Sequence, residues 1–203
     1  MKKLFLGIAT TIASLSFAQQ FGFKGGLNVS SITKEKDLDD TKSKIGFHAG
    51  VFLNIPFYNS FSIQPEVIYN DLGSKVTYPK DKGSYSTNLG YISIPVMFQF
   101  RPVPNFHIEA GPEFGFLVNA STKVKDSNGN STTSNFTKTA KEDFNNINMG
   151  LGIGTGFYFS KNLGLNIRYT LGFTEIGKAD RPLGKVYKDS KNNVLQIGLN
   201  YKL

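Results

Sequence analysis

The sequence predicts an all-β protein, an eight-stranded antiparallel up-and-down transmembrane β-barrel. Three observations carry that expectation. Large apolar residues alternate with glycine or polar residues through most of the chain, at the period of two that gathers them on one face of a strand. The alternating segments number eight, and the connections between them are alternately short and long. A short cationic and apolar leader precedes them, with no apolar run long enough for a membrane helix after it.

The leader comes first. Met1 to Ala18 carries Lys2 and Lys3, an apolar stretch from Leu4 to Leu15 and a small-x-small ending, Ser16-Phe17-Ala18. That is the pattern of a secretory signal peptide over 1–18 cut before Gln19, which leaves 19–203 as one barrel domain. The net charge of +8 falls to +6 when the two signal lysines leave. There is no cysteine, so a lipoprotein anchor, disulfides and thiolate metal sites are excluded.

The strands are expected at Phe21 to Ile32, Ile45 to Ile55, Phe61 to Tyr69, Tyr91 to Arg101, Phe106 to Val118, Ile147 to Phe159, Leu163 to Phe173 and Val194 to Leu203. The hairpin from Ile147 to Phe173 is the clearest. Ile147, Met149, Leu151, Ile153, Thr155, Phe157 and Phe159 share one face, and Leu163, Leu165, Ile167, Tyr169, Leu171 and Phe173 repeat the pattern. Each arm has about the ~9–11 residues that a barrel strand needs to cross a bilayer. A soluble lipid-binding barrel also alternates, but it points its apolar residues inward. Here Gly150, Gly152, Gly154 and Gly156 leave room for bulky neighbours on the polar face, and aromatics sit near the strand ends as in an interfacial girdle. An even strand count brings both termini to one side. The short connections Pro56 to Ser60, Pro102 to Asn105 and Ser160 to Asn162 are expected in the periplasm. The long ones, Thr33 to Lys44, Asp71 to Gly90, Asn119 to Asn145 and Thr174 to Asn193, are expected outside the cell. Pro65, Pro95 and Pro112 fall inside strands and read as bulges or strand-end irregularities. The last strand ends Leu195, Ile197, Leu199, Tyr201, Leu203 on one face, similar to the C-terminal signal of outer-membrane barrels.

Alternation places Lys24, His48, Gln64, Glu66, Gln99, Arg101, His107, Glu109, Glu113, Asn148, Tyr158, Asn166, Arg168, Gln196, Asn200 and Lys202 inside the barrel. A charge facing lipid near the midplane costs about 2–4 kcal/mol, so their concentration on one face supports the assignment. Eight strands enclose room for side chains and hardly for a channel. Lys24, Arg101, Arg168 and Lys202 set against Glu66, Glu109 and Glu113 predict an interior salt-bridge network, with Glu113 and Glu109 paired to Arg101 or Arg168.

No catalytic, cofactor or metal site is predicted. His48 lies near the loop end of its strand and His107 near the turn end of its own, so they cannot share a site. Ser30 or Ser31 beside His48 would make a Ser-His pair at the outer rim, but no nucleophile motif surrounds it. The segment Thr33 to Lys44 has four lysines and four acids, whereas Ile176 to Asn192 has five basic residues and two acids, an excess of +3 able to contact lipopolysaccharide phosphates. Ser127-Asn-Gly-Asn-Ser-Thr-Thr-Ser134 is mobile by composition. No phosphate loop, dinucleotide fingerprint or helical basic patch accompanies the basic pI of about 9.5, so nucleic acid is not an expected partner.

Phe23-Lys-Gly-Gly-Leu-Asn28, Gly46-Phe-His-Ala-Gly-Val51, Ile63-Gln-Pro-Glu-Val-Ile-Tyr69, Tyr91-Ile-Ser-Ile-Pro-Val96, Gly111-Pro-Glu-Phe-Gly-Phe-Leu117 and Gly150-Leu-Gly-Ile-Gly154 followed by Arg168-Tyr169 form an ordered series. It resembles the PorT-type outer-membrane β-barrel proteins abundant in Bacteroidota. The resemblance implies an eight-stranded barrel in the bacterial outer membrane, and for the founding member a part in type IX protein secretion. The function expected is non-enzymatic, structural or partner-binding, with outer-membrane lipids, lipopolysaccharide and other envelope or secretion proteins as partners. A lipid-modifying enzyme at the outer rim, a small channel and a surface adhesin are the alternatives.

Overall fold

Ile147 to Phe173 shows how alternation becomes a wall. Its outward residues are half-exposed or exposed, up to 61 % for Ile153, while Gly152, Gly156, Gly164, Asn166, Arg168 and Thr170 between them are buried. The same inside-outside alternation runs around a closed antiparallel barrel in the computed structural model, which describes residues 19–33, 41–77, 84–125, 131–134, 144–178 and 190–203. The expected signal peptide, most of the basic stretch between Ile176 and Asn192, and the acidic and basic run at 34–40 lie outside the described residues.

Eight long strands form the barrel: β1 (Gln20–Thr33), β2 (Thr41–Tyr58), β3 (Phe61–Thr77), β4 (Ser84–Val103), β5 (Phe106–Lys125), β7 (Ile147–Tyr158), β8 (Leu163–Gly172) and β9 (Lys191–Lys202). Neighbours in sequence pair antiparallel, β9 pairs with β1 and β4 with β5, so no long edge is left open. A ninth, short strand, β6 (Ser131–Ser134), adds to the loop end of β5. Both ends of the described chain lie at the end with the short turns, where Gly22 is opposite Lys202.

The predicted strands are lengthened at their loop ends. The β3–β4 register holds without a shift to Thr77 opposite Ser84, so most of the expected loop Asp71 to Gly90 is paired strand. Beyond Tyr69 and Ile92 the outward parity carries no large apolar residue, with Asp71, Gly73, Asn88 and Gly90 in those positions, so the apolar alternation stops while the ladder continues. Ser131–Ser134, expected to be mobile, pairs instead with Thr122–Lys125, where β5 stands beyond the end of β7 and would otherwise present a bare edge.

The prolines also differ from expectation. Pro65 is opposite Val96, Pro95 opposite Glu113 and Pro112 opposite Leu151, and the register is the same on both sides of each. A missing N–H removes one ladder bond without adding a residue, so no bulge is needed. The irregularities fall elsewhere, between Ser43 and His48, at Pro56/Tyr58, at Gly90/Tyr91, where Val118 is the extra residue, and at Phe100/Val103. Pro56 itself sits within β2, and the turn to β3 shrinks to Asn59-Ser60, with Asn59 at a φ of 27°.

The outer surface is an apolar belt. Phe57, Phe61 and Phe100 stack across β2, β3 and β4 at the turn end, with ring centroids 6.4 and 4.9 Å apart. At the loop end Phe47 and Tyr69 lie 5.8 Å apart. Aromatics at both rims of such a belt suit the two interfaces of a bilayer. Inside, small residues face large ones. A Cβ on Gly152 would touch Met97 and Arg168, and one on Gly156 would lie 2.3 Å from the His107 ring. Gly156→Ala is therefore expected to cost about 1–3 kcal/mol in urea unfolding from vesicles. Gly25→Ala, whose Cβ would meet only the His48 carbonyl at 3.5 Å, should be near neutral.

Candidate functional site

Among the described residues, the fully buried charges lie in the lumen. Alternation turns every second residue of each strand inward, and tilt of the strands decides which of those residues meet. At the centre, Arg168 of β8 reaches across to β3, where its Nη1 and Nη2 donate to Glu66 Oε2 and Oε1 at 2.8 and 2.7 Å. Its Nε donates to Glu109 Oε1 of β5 at 2.8 Å. Lys24 of β1 donates to both Glu66 oxygens at 3.0 and 3.1 Å. Gln64 Nε2 adds a further donor to Glu66 Oε1 at 2.7 Å, and Gln99 Nε2 donates to Glu109 Oε2 at 2.9 Å. Two cations and two carboxylates cancel here, and the fork-to-fork contact of Arg168 with Glu66 is the strong bidentate kind.

The other three residues of the expected network stand apart from this quartet. Glu113 has no ion pair within 4 Å among the described residues and accepts a bond from Thr170 Oγ1 at 3.2 Å. It lies four residues nearer the loop end than Glu109, and the Arg168 guanidinium is already committed on both edges. Arg101 and Lys202 lie at the turn end. Arg101 Nη2 donates to Asn54 Oδ1 at 2.9 Å and to Gln99 Oε1 at 3.3 Å, whereas Lys202 Nζ stands 3.8 Å above the Tyr158 ring.

On the loop side of the quartet is a layer of amides. Asn70 Oδ1 accepts from Asn28 and Gln196 at 3.1 and 2.9 Å, and Asn70 Nδ2 donates to Ser93 Oγ at 2.9 Å. His48 is held here, its Nδ1 2.8 Å from Asn28 Oδ1. It makes no pair with either serine, since Ser30 Oγ donates to the Gly73 carbonyl at 2.8 Å and Ser31 is on the exposed face. Above the amides, Leu72, Leu89, Tyr91, Leu117, Ala120 and Val194 join Phe144 and Ile176 in a buried apolar cluster. Sequence reasoning missed this plug. Its signal was present in Leu72, Leu89 and Leu117, which continue the inward parity of their strands with leucine in place of a polar residue.

The loop-end extensions of β2 to β6 form a wall beyond the apolar belt. Past Tyr69, β3 runs on to Thr77, about 25 Å at ~3.3 Å per residue. One register row across this wall contains Lys42, Lys75, Ser86, Lys123 and Thr133. Among the described residues no three His, Asp or Glu side chains converge to hold a metal ion.

The family model of the outer membrane protein beta-barrel domain matches residues 17–177. The chain belongs to that family. This outer-membrane barrel shares its fold with neisserial surface protein A, at 14% identity and a TM-score of 0.52 over 90% of this chain and 97% of that one. Ail, the attachment invasion locus protein of Yersinia pestis, solved in complex with the heparin analogue sucrose octasulfate, is similar at 14% identity and a TM-score of 0.51, over 92% of this chain and all of that one. At such identities the likeness establishes the fold. None of the curated proteins matches the chain. The bacterial outer membrane is thus the location of this barrel, and its apolar belt is the surface that meets lipid.

Proposed function

We propose that this outer-membrane barrel is non-enzymatic and serves as a rigid membrane support for its loop-side wall, which faces the cell exterior and holds a partner. The observation that carries this reading is the filling of the lumen. A neutral ion-pair layer, an amide layer and an apolar plug follow one another along the barrel axis, which closes the loop-side entrance and leaves the wall as the surface for a partner on that side. The termini and short turns are then periplasmic. The row containing Lys42, Lys75 and Lys123 favours lipopolysaccharide phosphates as one contact of the wall. An accessory part in protein secretion, implied by the resemblance to PorT, is the narrower form of the same reading.

The test is the size and content of the native particle after gentle detergent extraction, by gel filtration and mass spectrometry. A discrete complex with envelope or secretion components is the expected result, and its composition names the partner. A lone barrel carrying only lipid contradicts a protein partner and leaves lipopolysaccharide as the contact.

A further inference from the structure

We infer that the turn-end mouth of the lumen is a binding site for a small oxyanion of the phosphate or sulfate class, held between Arg101 and Lys202. Of the lumen carboxylates, Glu66 and Glu109 are taken up by Lys24 and Arg168, and Glu113 lies towards the loop end. Arg101 at the end of β4 and Lys202 at the end of β9 are left with no carboxylate within 4 Å among the described residues. They border one ring cluster: Lys202 lies over Tyr158, whose ring centroid is 6.0 Å from that of His107, and His107 and Arg101 come next to each other at the turn end of the paired strands β5 and β4. Two half-buried cations with only amides and an aromatic face as partners are a like-charge pair, and a like-charge pair out of bulk water calls for a counter-ion.

Geometry supplies the cradle. Arg101 spends Nη2 on Asn54 and Gln99, which fixes the guanidinium, while Nη1 and Nε have no acceptor among the described residues. Lys202 Nζ has no hydrogen-bond acceptor among the described residues and lies over Tyr158. Beside them, His107 and Asn166 are each only 2 % exposed and make no hydrogen bond at any side-chain polar atom, His107 Nε2 standing 3.8 Å from Glu109 Oε2, too far for one. They flank Gly156 in one inward row, His107 opposite Gly156 and Gly156 opposite Asn166. The mouth therefore combines two uncompensated cations with unmet polar groups behind them. These side chains point into the lumen and away from the lipid face, so the fitting ligand is a small ion from the aqueous phase and not a lipid headgroup.

The experiment titrates inorganic phosphate, at constant ionic strength set with chloride, into the full barrel in a zwitterionic detergent, read by NMR of the Arg101 and His107 side chains. Saturable shifts are expected, with a higher thermal midpoint as the bound state is favoured. Arg101→Gln with Lys202→Gln should weaken phosphate at least ten-fold, whereas Lys161→Gln, in the exposed β7–β8 turn, should not change it. Because the double variant can fail to fold, Lys202→Gln is also compared with Lys202→Arg, and only the arginine variant should keep the site. Phosphate shifts equal to those of chloride, or unchanged saturation in the glutamine variants, overturn the inference. A phosphate shift without saturation means an adventitious ion only and overturns it as well.

Discussion

Arg168→Met is expected to lower the unfolding free energy of the barrel by about 3–5 kcal/mol, the loss that follows when one member of a buried ion pair is removed. Arg168 is fully buried, and so are the two carboxylates that it bridges, Glu66 on β3 and Glu109 on β5. Without the guanidinium, Glu66 keeps Lys24 but Glu109 keeps only Gln99 and the His107 ring, whose Nε2 is 3.8 Å away. One buried carboxylate is then left without a cation. The variant Arg168→Met with Glu109→Gln removes both charges and should recover part of the loss, so a double-mutant cycle should show coupling of about 0.5–3 kcal/mol. Urea unfolding from phospholipid vesicles measures all three. A single-variant cost below about 1 kcal/mol, the range of solvated surface pairs, would mean that water reaches the quartet and that the centre of the barrel is open.

Ile153→Arg carries the second large effect. Ile153 lies near the middle of β7, outward-facing and 61 % exposed in the isolated chain. In a soluble barrel an arginine at so exposed a position would cost almost nothing. In a bilayer the same position is near the midplane, and the expected cost is about 2–4 kcal/mol. Ser160→Arg, in the turn that follows β7, should cost only about 0.5–1.5 kcal/mol by the same measurement, because it lies off the belt and loses only the hydroxyl that accepts from the Asn162 and Leu163 N–H groups. Equal effects at 153 and 160 would contradict the assignment of the belt to lipid.

How these two residues are placed shows what the sequence discloses and what it withholds. The face of each is a matter of parity, and parity is legible: Arg168 falls between Ile167 and Tyr169, and Ile153 between Gly152 and Gly154, so inside and outside are readable residue by residue. The partner of Arg168 is not legible. Glu66 is 102 residues away on a strand that does not pair with β8, and the contact depends on the tilt and stagger of the whole barrel. For the same reason Arg101, Glu113 and Lys202 share the inner face with the quartet and yet stand at other depths. The strand ends were hidden by a change of environment. Past Tyr69 and Ile92 the outward face no longer meets lipid, so apolar alternation ends at the belt while hydrogen bonding continues to Thr77 and Ser84. The apolar plug was hidden by the expectation of a uniformly polar lumen, although Phe52, Ile68 and Met97 are also buried on the inner face.

The filled lumen is measured most directly by the current through a planar bilayer containing the purified, folded barrel. No conductance steps above the lipid baseline are expected, because the ion-pair quartet, the amide layer and the apolar plug lie in series along the axis. Regular steps from the wild-type barrel would contradict it and would make the molecule a small channel.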